Sequence, residues 1–167
     1  MWKKEIFEKL EDLKAKAENG GGERRIQHQH AQGKLTARER IGILFDKDTF
    51  TEVNELVESR IDDFGIGEKR VPGDGVITGY GLINGRLAFA ASEDFTVMGG
   101  TLGEYHSRKI CRIMDMAMQM RAPLITINDS GGARIEEGVC SLAGYSGMFL
   151  RNTQDVYKRQ HLGAAAP

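Results

Sequence analysis

Residues 128–138, NDSGGARIEEG, place an Asp, two adjacent glycines and an Arg directly after the apolar run LITI and before a helix-like segment. A Gly-Gly pair at such a junction lets the main chain approach a ligand closely and aims N–H groups into the cleft, an arrangement suited to an oxyanion or a phosphate. At developing negative charge one preorganised donor is worth roughly 3 kcal/mol, so a site of this kind relies on backbone and not on side chains. The same residues suit a tight turn that needs only positive φ, and spacing alone leaves both readings open. Ser130 and His106 could form a nucleophile and base, but there is no G-x-S-x-G elbow and no assigned carboxylate partner. His28, His30 and His161 lie in polar surroundings and read as solvated side chains. Cys111 and Cys140 stand apart without CxxC or Cys/His spacing, so they read as reduced thiols, and a metal site has no support.

Charge and hydropathy narrow the classes further. Across 167 residues, 23 Lys and Arg balance 24 Asp and Glu, so no general field draws the chain to nucleic acid or to a membrane surface. No stretch approaches the ~18 apolar residues of a bilayer span. MWKKEIFEKLEDLKAK interleaves charge with Ile6, Leu10 and Leu13, the pattern of an amphipathic helix and not of a signal peptide. Arg24, Arg25, Lys34, Arg38 and Arg40 make the front segment locally basic, which suits either the phosphates of a nucleotide-containing ligand such as coenzyme A or an ordinary solvated face. Met114, Met116, Met118 and Met120 step by two on a predicted helix, so they wrap around its axis and fill core or interface space.

The elements that must position the glycine loop follow from local pattern. The spacing predicts a first helix to about Ala17, broken by Asn19 and Gly20 to Gly22, then a helical piece ERRIQHQHAQ. Thr36-Ala37-Arg38-Glu39 has the form of a capping box opening RERIGILF. TEVNELV and VITGYGLI read as strands, and Asn84-Gly85 predicts a type I′ hairpin over 76–91. Thr101-Leu102-Gly103-Glu104 reads as a second capping box, opening a helix through Met120 with Ile110, Ile113, Met114 and Ala117 buried and Pro123 as its stop. LITI is then a short strand buried on both faces. The order is hairpin, helix, buried strand, glycine loop, helix, in one domain of ordinary size.

HAQGKLTARERIGILFD, VPGDGVITGYGLINGRLAFAASEDFTVMGGTLGE and MRAPLITINDSGGARIEEGVCSL follow one another over about residues 24–153. In content and order they closely resemble the carboxyltransferase subunit of biotin-dependent acyl-CoA carboxylases and decarboxylases. The resemblance implies an α/β crotonase-like fold, a spiral of β-β-α units, with a charged helical segment 1–45 preceding an incomplete N-terminal lobe at 46–153. It implies transfer of a carboxyl group between biotin, on a separate carrier protein, and the α-carbon of a coenzyme A thioester, with biotin itself taking the α-proton. A protein base is then not required. Gly131, Gly132 and Ala133 correspond to the catalytic backbone loop, organised by Arg134 and Glu137. Gly99, Gly100, Ser130 and Arg134 fall on the side that binds the acyl-CoA, and Arg38 and Arg40 read as structural ion pairs. Implied partners are the biotin carrier, biotin carboxylase or decarboxylase subunits and further copies of the chain, in the cytoplasm.

Beyond Thr153 the sequence QDVYKRQHLGAAAP departs from the resemblance. It reads as a foreign, unstructured tail at 154–167 on a truncated subunit, with little turnover expected of the chain alone and a tendency to associate through uncovered apolar faces. Met118-Gln119-Met120 has Gln where a biotinyl Lys would stand, so the carrier is another chain. Two further readings remain: a crotonase-type acyl-CoA hydratase or hydrolase using Glu136 or Glu137, and a non-catalytic assembly fragment.

Overall fold

The computed structural model describes residues 2–65, 67, 70–156 and 161–165. Its helices are α1 (Trp2–Asn19), α2 (Glu23–Ala31), α3 (Ala37–Leu44), α4 (Glu104–Met120) and α5 (Val139–Val156). Its strands are β1 (Thr51–Glu52), β2 (Val76–Ile83), β3 (Arg86–Glu93), β4 (Leu124–Asn128) and β5 (His161–Ala165). They form one sheet in the order β1-β2-β3-β4-β5. The first three strands are antiparallel; β3, β4 and β5 are parallel, joined through α4 and α5. Two hairpin strands followed by a helix and a parallel return make the β-β-α unit of the crotonase-like fold.

Local chemistry accounts for the hairpin and for α3. Asn84 and Gly85 take φ of 50° and 75°, the two positive values a type I′ turn demands, and the Asp46 carboxylate accepts both turn N–H groups at 3.0 and 2.8 Å. At α3 the capping box forms in both directions between Thr36 and Glu39. TEVNELV behaves differently from its predicted strand. Only Thr51 and Glu52 pair with β2, because Asn54 turns left-handed at φ 62° and leads the chain away from the sheet edge.

Alternation along β3 decides where the core lies. Phe89 and Ala91 face α4 with Val76, Leu102, Ile110, Ile113, Met114, Ala117 and Leu124, while Ala88 and Ala90 face α3 with Ala37, Ile41, Phe45 and Ile77. Both faces of the sheet are therefore covered, which is why RLAFAASE and LITI contain runs of apolar residues without polar alternation. Of the methionine series, Met114 is buried, Met116 packs partly buried against the same core and Met120 is exposed. The helix stops at Arg121, left-handed at φ 52°, two residues ahead of the predicted stop at Pro123.

The segment beyond Thr153 also departs from expectation. Instead of an unstructured tail, α5 continues to Val156 and residues 161–165 pair with β4, Leu124 opposite His161 through Asn128 opposite Ala165. The backbone of this segment occupies the edge of β4 that would otherwise present unpaired N–H and C=O groups. The parts of that expectation on residues 157–160 and 166–167, and on the His161 side chain, lie outside the described residues. On α5 and the turn before it, Ile135, Val139, Leu142, Phe149 and Leu150 form an exposed apolar stripe.

Candidate functional site

Two glycine loops far apart in the chain meet at the end of β4. The Gly131 N–H donates to the Gly99 carbonyl at 2.9 Å, and the Ser130 hydroxyl donates to the Gly100 carbonyl at 2.6 Å while accepting from the Gly132 N–H at 3.1 Å. Gly100 has to be glycine, since a Cβ there would overlap the Asp129 carbonyl. One residue further on, Leu102 donates to Gly132 O at 2.8 Å and accepts from Arg134 N at 2.9 Å, an isolated parallel bridge. Among the described residues the Ala133 N–H has no hydrogen-bond partner. Gly131 and Ala133 line a cleft of about 300 Å³ with Arg25, Met98, Thr101, Ile135 and Glu136. The stitching therefore occupies Gly131 N–H and leaves Ala133 N–H, with the weakly held Gly132 N–H, as donors on this loop.

Arg134 stands behind the loop and not in the cleft. It is fully buried, with Nη1 donating to Asp74 Oδ1 at 2.7 Å and Glu137 Oε1 at 2.8 Å, and Nη2 to the Thr101 carbonyl at 3.0 Å. The sequence placed Arg134 as an organiser of the loop on the acyl-CoA side; in the structure it braces the loop from within. Glu137 also accepts from Ser59 Oγ at 2.9 Å and, through Oε2, from the Glu104 N–H at 2.6 Å. That last bond replaces the capping box expected at Thr101, whose hydroxyl turns back to the Met98 carbonyl at 2.8 Å. Gly103 is the actual N-cap, and a Cβ there would lie 2.6 Å from both Arg134 Nη1 and Glu137 Oε1, so the ion pair sits where a side chain would otherwise be.

Asp129, at the loop's first position, fastens the N-terminal helices to it. Its Oδ2 accepts from Arg40 Nη2 at 2.7 Å and Gln29 Nε2 at 2.9 Å, and Lys34 Nζ lies 3.4 Å from Oδ1. Its own N–H donates to Glu93 Oε2 at 3.0 Å. Arg38 pairs with Glu52 at 2.9 Å, so both Arg38 and Arg40 hold structural ion pairs as expected. Gly21 presses against Thr96, donating to its hydroxyl at 3.1 Å, which gives the glycine triplet a packing role beyond breaking α1.

Burial raises the carboxyl pKa of Asp129, but the hydrogen bond and charge of Arg40, with Gln29 and Lys34, outweigh it and hold the group below its ordinary range. For Glu137 burial is likewise outweighed, by the Glu104 N–H, Arg134 and Ser59. A carboxylate depressed in the folded state contributes stability that is present above its unfolded pKa and lost as pH falls through the folded one. Melting temperature is therefore expected to hold down to about pH 5 and fall steeply toward pH 3. Circular dichroism melts across that range check this, and a flat profile would contradict it. Burial also pulls Lys109 down to about 8. Its Nζ donates to the Gly73 and Val76 carbonyls at 2.8 and 2.5 Å, fixing the turn that carries Asp74.

The arrangement of loop, strand and helix has counterparts. Residues 28–158 match the carboxyl transferase domain. The chain belongs to the carboxyl transferase family. It is 57% identical over 149 residues to the propionyl-CoA carboxylase beta chain of Cereibacter sphaeroides, covering 89% of this chain and 29% of that protein. To the methylmalonyl-CoA decarboxylase subunit alpha of Veillonella parvula it is 53% identical, again covering 89% and 29%. Among solved structures, the transcarboxylase 12S hexamer with methylmalonyl-coenzyme A and methylmalonic acid bound superposes with a TM-score of 0.87 at 47% identity, covering 91% of this chain and 30% of that one. A Pseudomonas malonate decarboxylase hetero-tetramer shares the fold, with a TM-score of 0.67 at 24% identity. The carboxyl transferase chain thus spans about 29% of the length of these curated relatives.

Other sequence candidates part company in this carboxyl transferase chain. His106 is fully buried, its Nδ1–H donating to the Asp74 carbonyl at 2.9 Å and its Nε2 lying 3.7 Å from Glu93 Oε1, while Ser130 is tied to Gly100, so no nucleophile-base pair forms. Of the two carboxylates weighed for hydration chemistry, Glu137 is buried in the ion cluster and Glu136 is exposed on the cleft. Cys111 and Cys140 are free thiols on a separate cavity of about 450 Å³ between α4 and α5. Sequence reasoning missed Asp74, Asp129 and Lys109. A charged residue inside an apolar or glycine-rich stretch was the available signal, but its partners lie too far along the chain to be read.

Proposed function

We propose that this chain forms the acyl-CoA side of a carboxyltransferase site, in which a carboxyl group moves between biotin and the α-carbon of a propionyl- or methylmalonyl-type thioester. The observation that carries this reading is the stitched pair of glycine loops, which leaves the Ala133 N–H without a partner on a residue lining the cleft, with the Gly132 N–H beside it held only by the Ser130 hydroxyl. When carboxyl is lost or gained at the α-carbon, negative charge develops on the thioester oxygen. Backbone donors held rigid by Gly99, Gly100 and Ser130 stabilise that charge without reorganising. Biotin, delivered by a separate carrier, supplies or accepts the carboxyl group; no residue described here is assigned to hold it. Gly99, Gly100, Ser130 and Arg134 act by shaping the loop. The apolar stripe of Ile135, Val139 and Leu142 on the rim suits burial against further subunits of an oligomer.

Titration with propionyl-CoA followed by amide NMR tests the reading. The Ala133 and Gly132 amides are expected to shift most, and Gly131, already bonded to Gly99, much less. Equal shifts with free coenzyme A, or none at Ala133 and Gly132, would remove the thioester from this loop.

A further inference from the structure

Behind the glycine loop lie two buried polar side chains that the proposed chemistry does not use, His106 on α4 and Glu93 at the end of β3. The ring's Nδ1 stands 2.9 Å from the Asp74 carbonyl, which can only accept, so the Nδ1 proton is committed there. Its Nε2 has no hydrogen-bond partner and faces Glu93 Oε1 across 3.7 Å, too short a gap to admit a water between them. The other oxygen, Glu93 Oε2, accepts the N–H of Asp129, the first residue of the loop, at 3.0 Å. A line of contacts therefore runs from the Asp74 main chain through His106 and Glu93 to the loop's first peptide. The Asp74 carboxylate meanwhile holds Arg134, at the loop's far end, at 2.7 Å. Both ends of the loop trace back to one residue.

A neutral ring that donates through Nδ1 has a bare lone pair at Nε2, and an ionised Glu93 offers only acceptors. Without a further proton, two acceptors would face each other in a dry interior. Resting on the acyl-CoA reading above, we infer that His106 and Glu93 are a positioning pair for the glycine loop, holding one proton between Nε2 and Oε1. Whether ring or carboxyl carries it, the bond joins the same two atoms and the pair has the same net charge. The charged groups around the pair are committed elsewhere: Asp74 and Glu137 to Arg134, Asp129 to Arg40, and Lys109 to the Gly73 and Val76 carbonyls. From α5, the Tyr145 phenol lies within the field of Glu93. With the proton in place Glu93 is fixed at both oxygens, so the turn that carries the Gly132 and Ala133 N–H groups starts from a fixed peptide.

Nitrogen-15 NMR of the His106 ring, with carbon-13 NMR of the Glu93 carboxyl, reads the proton directly in the 167-residue chain. Near neutral pH either Nε2 or the carboxyl is expected to be protonated; an unprotonated Nε2 beside an ionised Glu93 overturns the pair. As pH rises and the proton leaves, the Asp129, Gly132 and Ala133 amides are expected to shift with the same midpoint as the ring. Lys109 titrates nearby, so Glu93→Gln is the control: its amide can donate to Nε2 and accept from the Asp129 N–H without ionising. In that variant the loop amides are expected to keep their neutral-pH positions and to stop following the ring's midpoint, a rescue that a space-filling role would not produce. His106→Asn keeps a donor for Asp74 but removes Nε2, and is expected to speed exchange of the Asp129 amide about tenfold. Loop amides that ignore the ring, that follow it equally in Glu93→Gln, or an unchanged Asp129 exchange in His106→Asn overturn the positioning role. None of these readouts needs a ligand. Propionyl-CoA affinity is expected to fall several-fold in His106→Asn and to persist in Glu93→Gln, whereas wild type that binds no propionyl-CoA overturns the acyl-CoA reading and leaves the pair to the NMR result.

Discussion

Replacing Arg134 by Met is expected to lower the unfolding free energy of the chain by about 3–5 kcal/mol, the cost of removing one member of a buried ion cluster. The guanidinium is fully buried and is the cation that both Asp74 and Glu137 contact, at 2.7 and 2.8 Å. Without it two carboxylates stay in a low-dielectric interior unpaired, and the Thr101 carbonyl loses its donor. Glu137 would then have reason to protonate, weakening its acceptance of the Glu104 N–H that caps α4. Urea unfolding measures the change. A loss below about 1 kcal/mol would mean that water reaches the cluster and that Arg134 does not organise the loop. Arg134→Lys, which keeps the charge but not the fork, is expected to recover only part of the loss, because one ammonium cannot hold Asp74, Glu137 and Thr101 in the same plane.

Asp129→Ala is the second large expected effect, about 3 kcal/mol, with a different signature. It leaves Arg40 without its partner and releases Gln29 and Lys34, so the front helices lose their polar fastening, α3 keeps only its apolar packing and the sheet keeps its own core. Amide exchange is expected to rise first in α2 and α3 and in the glycine loop, with β2 and β3 still protected. Limited proteolysis should cut between residues 20 and 36 before any other site. Uniform loss of protection across the sheet would instead place Asp129 in the global core. Asp129→Asn is expected to fall between the two, since an amide still accepts from Gln29 but offers no charge to Arg40.

These two residues also mark the boundary of what could be read along the chain. The Asn84-Gly85 turn, the Thr36 capping box and the position of NDSGGARIEEG between a buried strand and a helix were all legible, because each depends on neighbours within a few residues. The overall order of elements followed from period and punctuation for the same reason. The second capping box was misread because Thr101 has a nearer acceptor at Met98, and the cap of α4 comes from Glu137, 33 residues away. The strand at TEVNELV was overextended because Asn54, a residue type that tolerates the left-handed region but does not require it, takes φ 62°.

For the site, the residue types and their local backbone were set by the sequence alone: a glycine-rich loop able to aim N–H groups into a cleft, and motifs whose order identified the family. Which N–H groups stay without a partner was decided by tertiary contact, since Gly131 is occupied only once the loop at Gly99 and Gly100, some 30 residues earlier, lies against it. The same holds for charge. Arg40 and Asp129 are 89 residues apart, and only their meeting separates the cations that brace the loop from Arg24 and Arg25, which stay exposed on α2. Hydrogen bonds and ion pairs are satisfied by whichever partner the fold brings within about 3 Å, and that choice is not carried by any local stretch of chain.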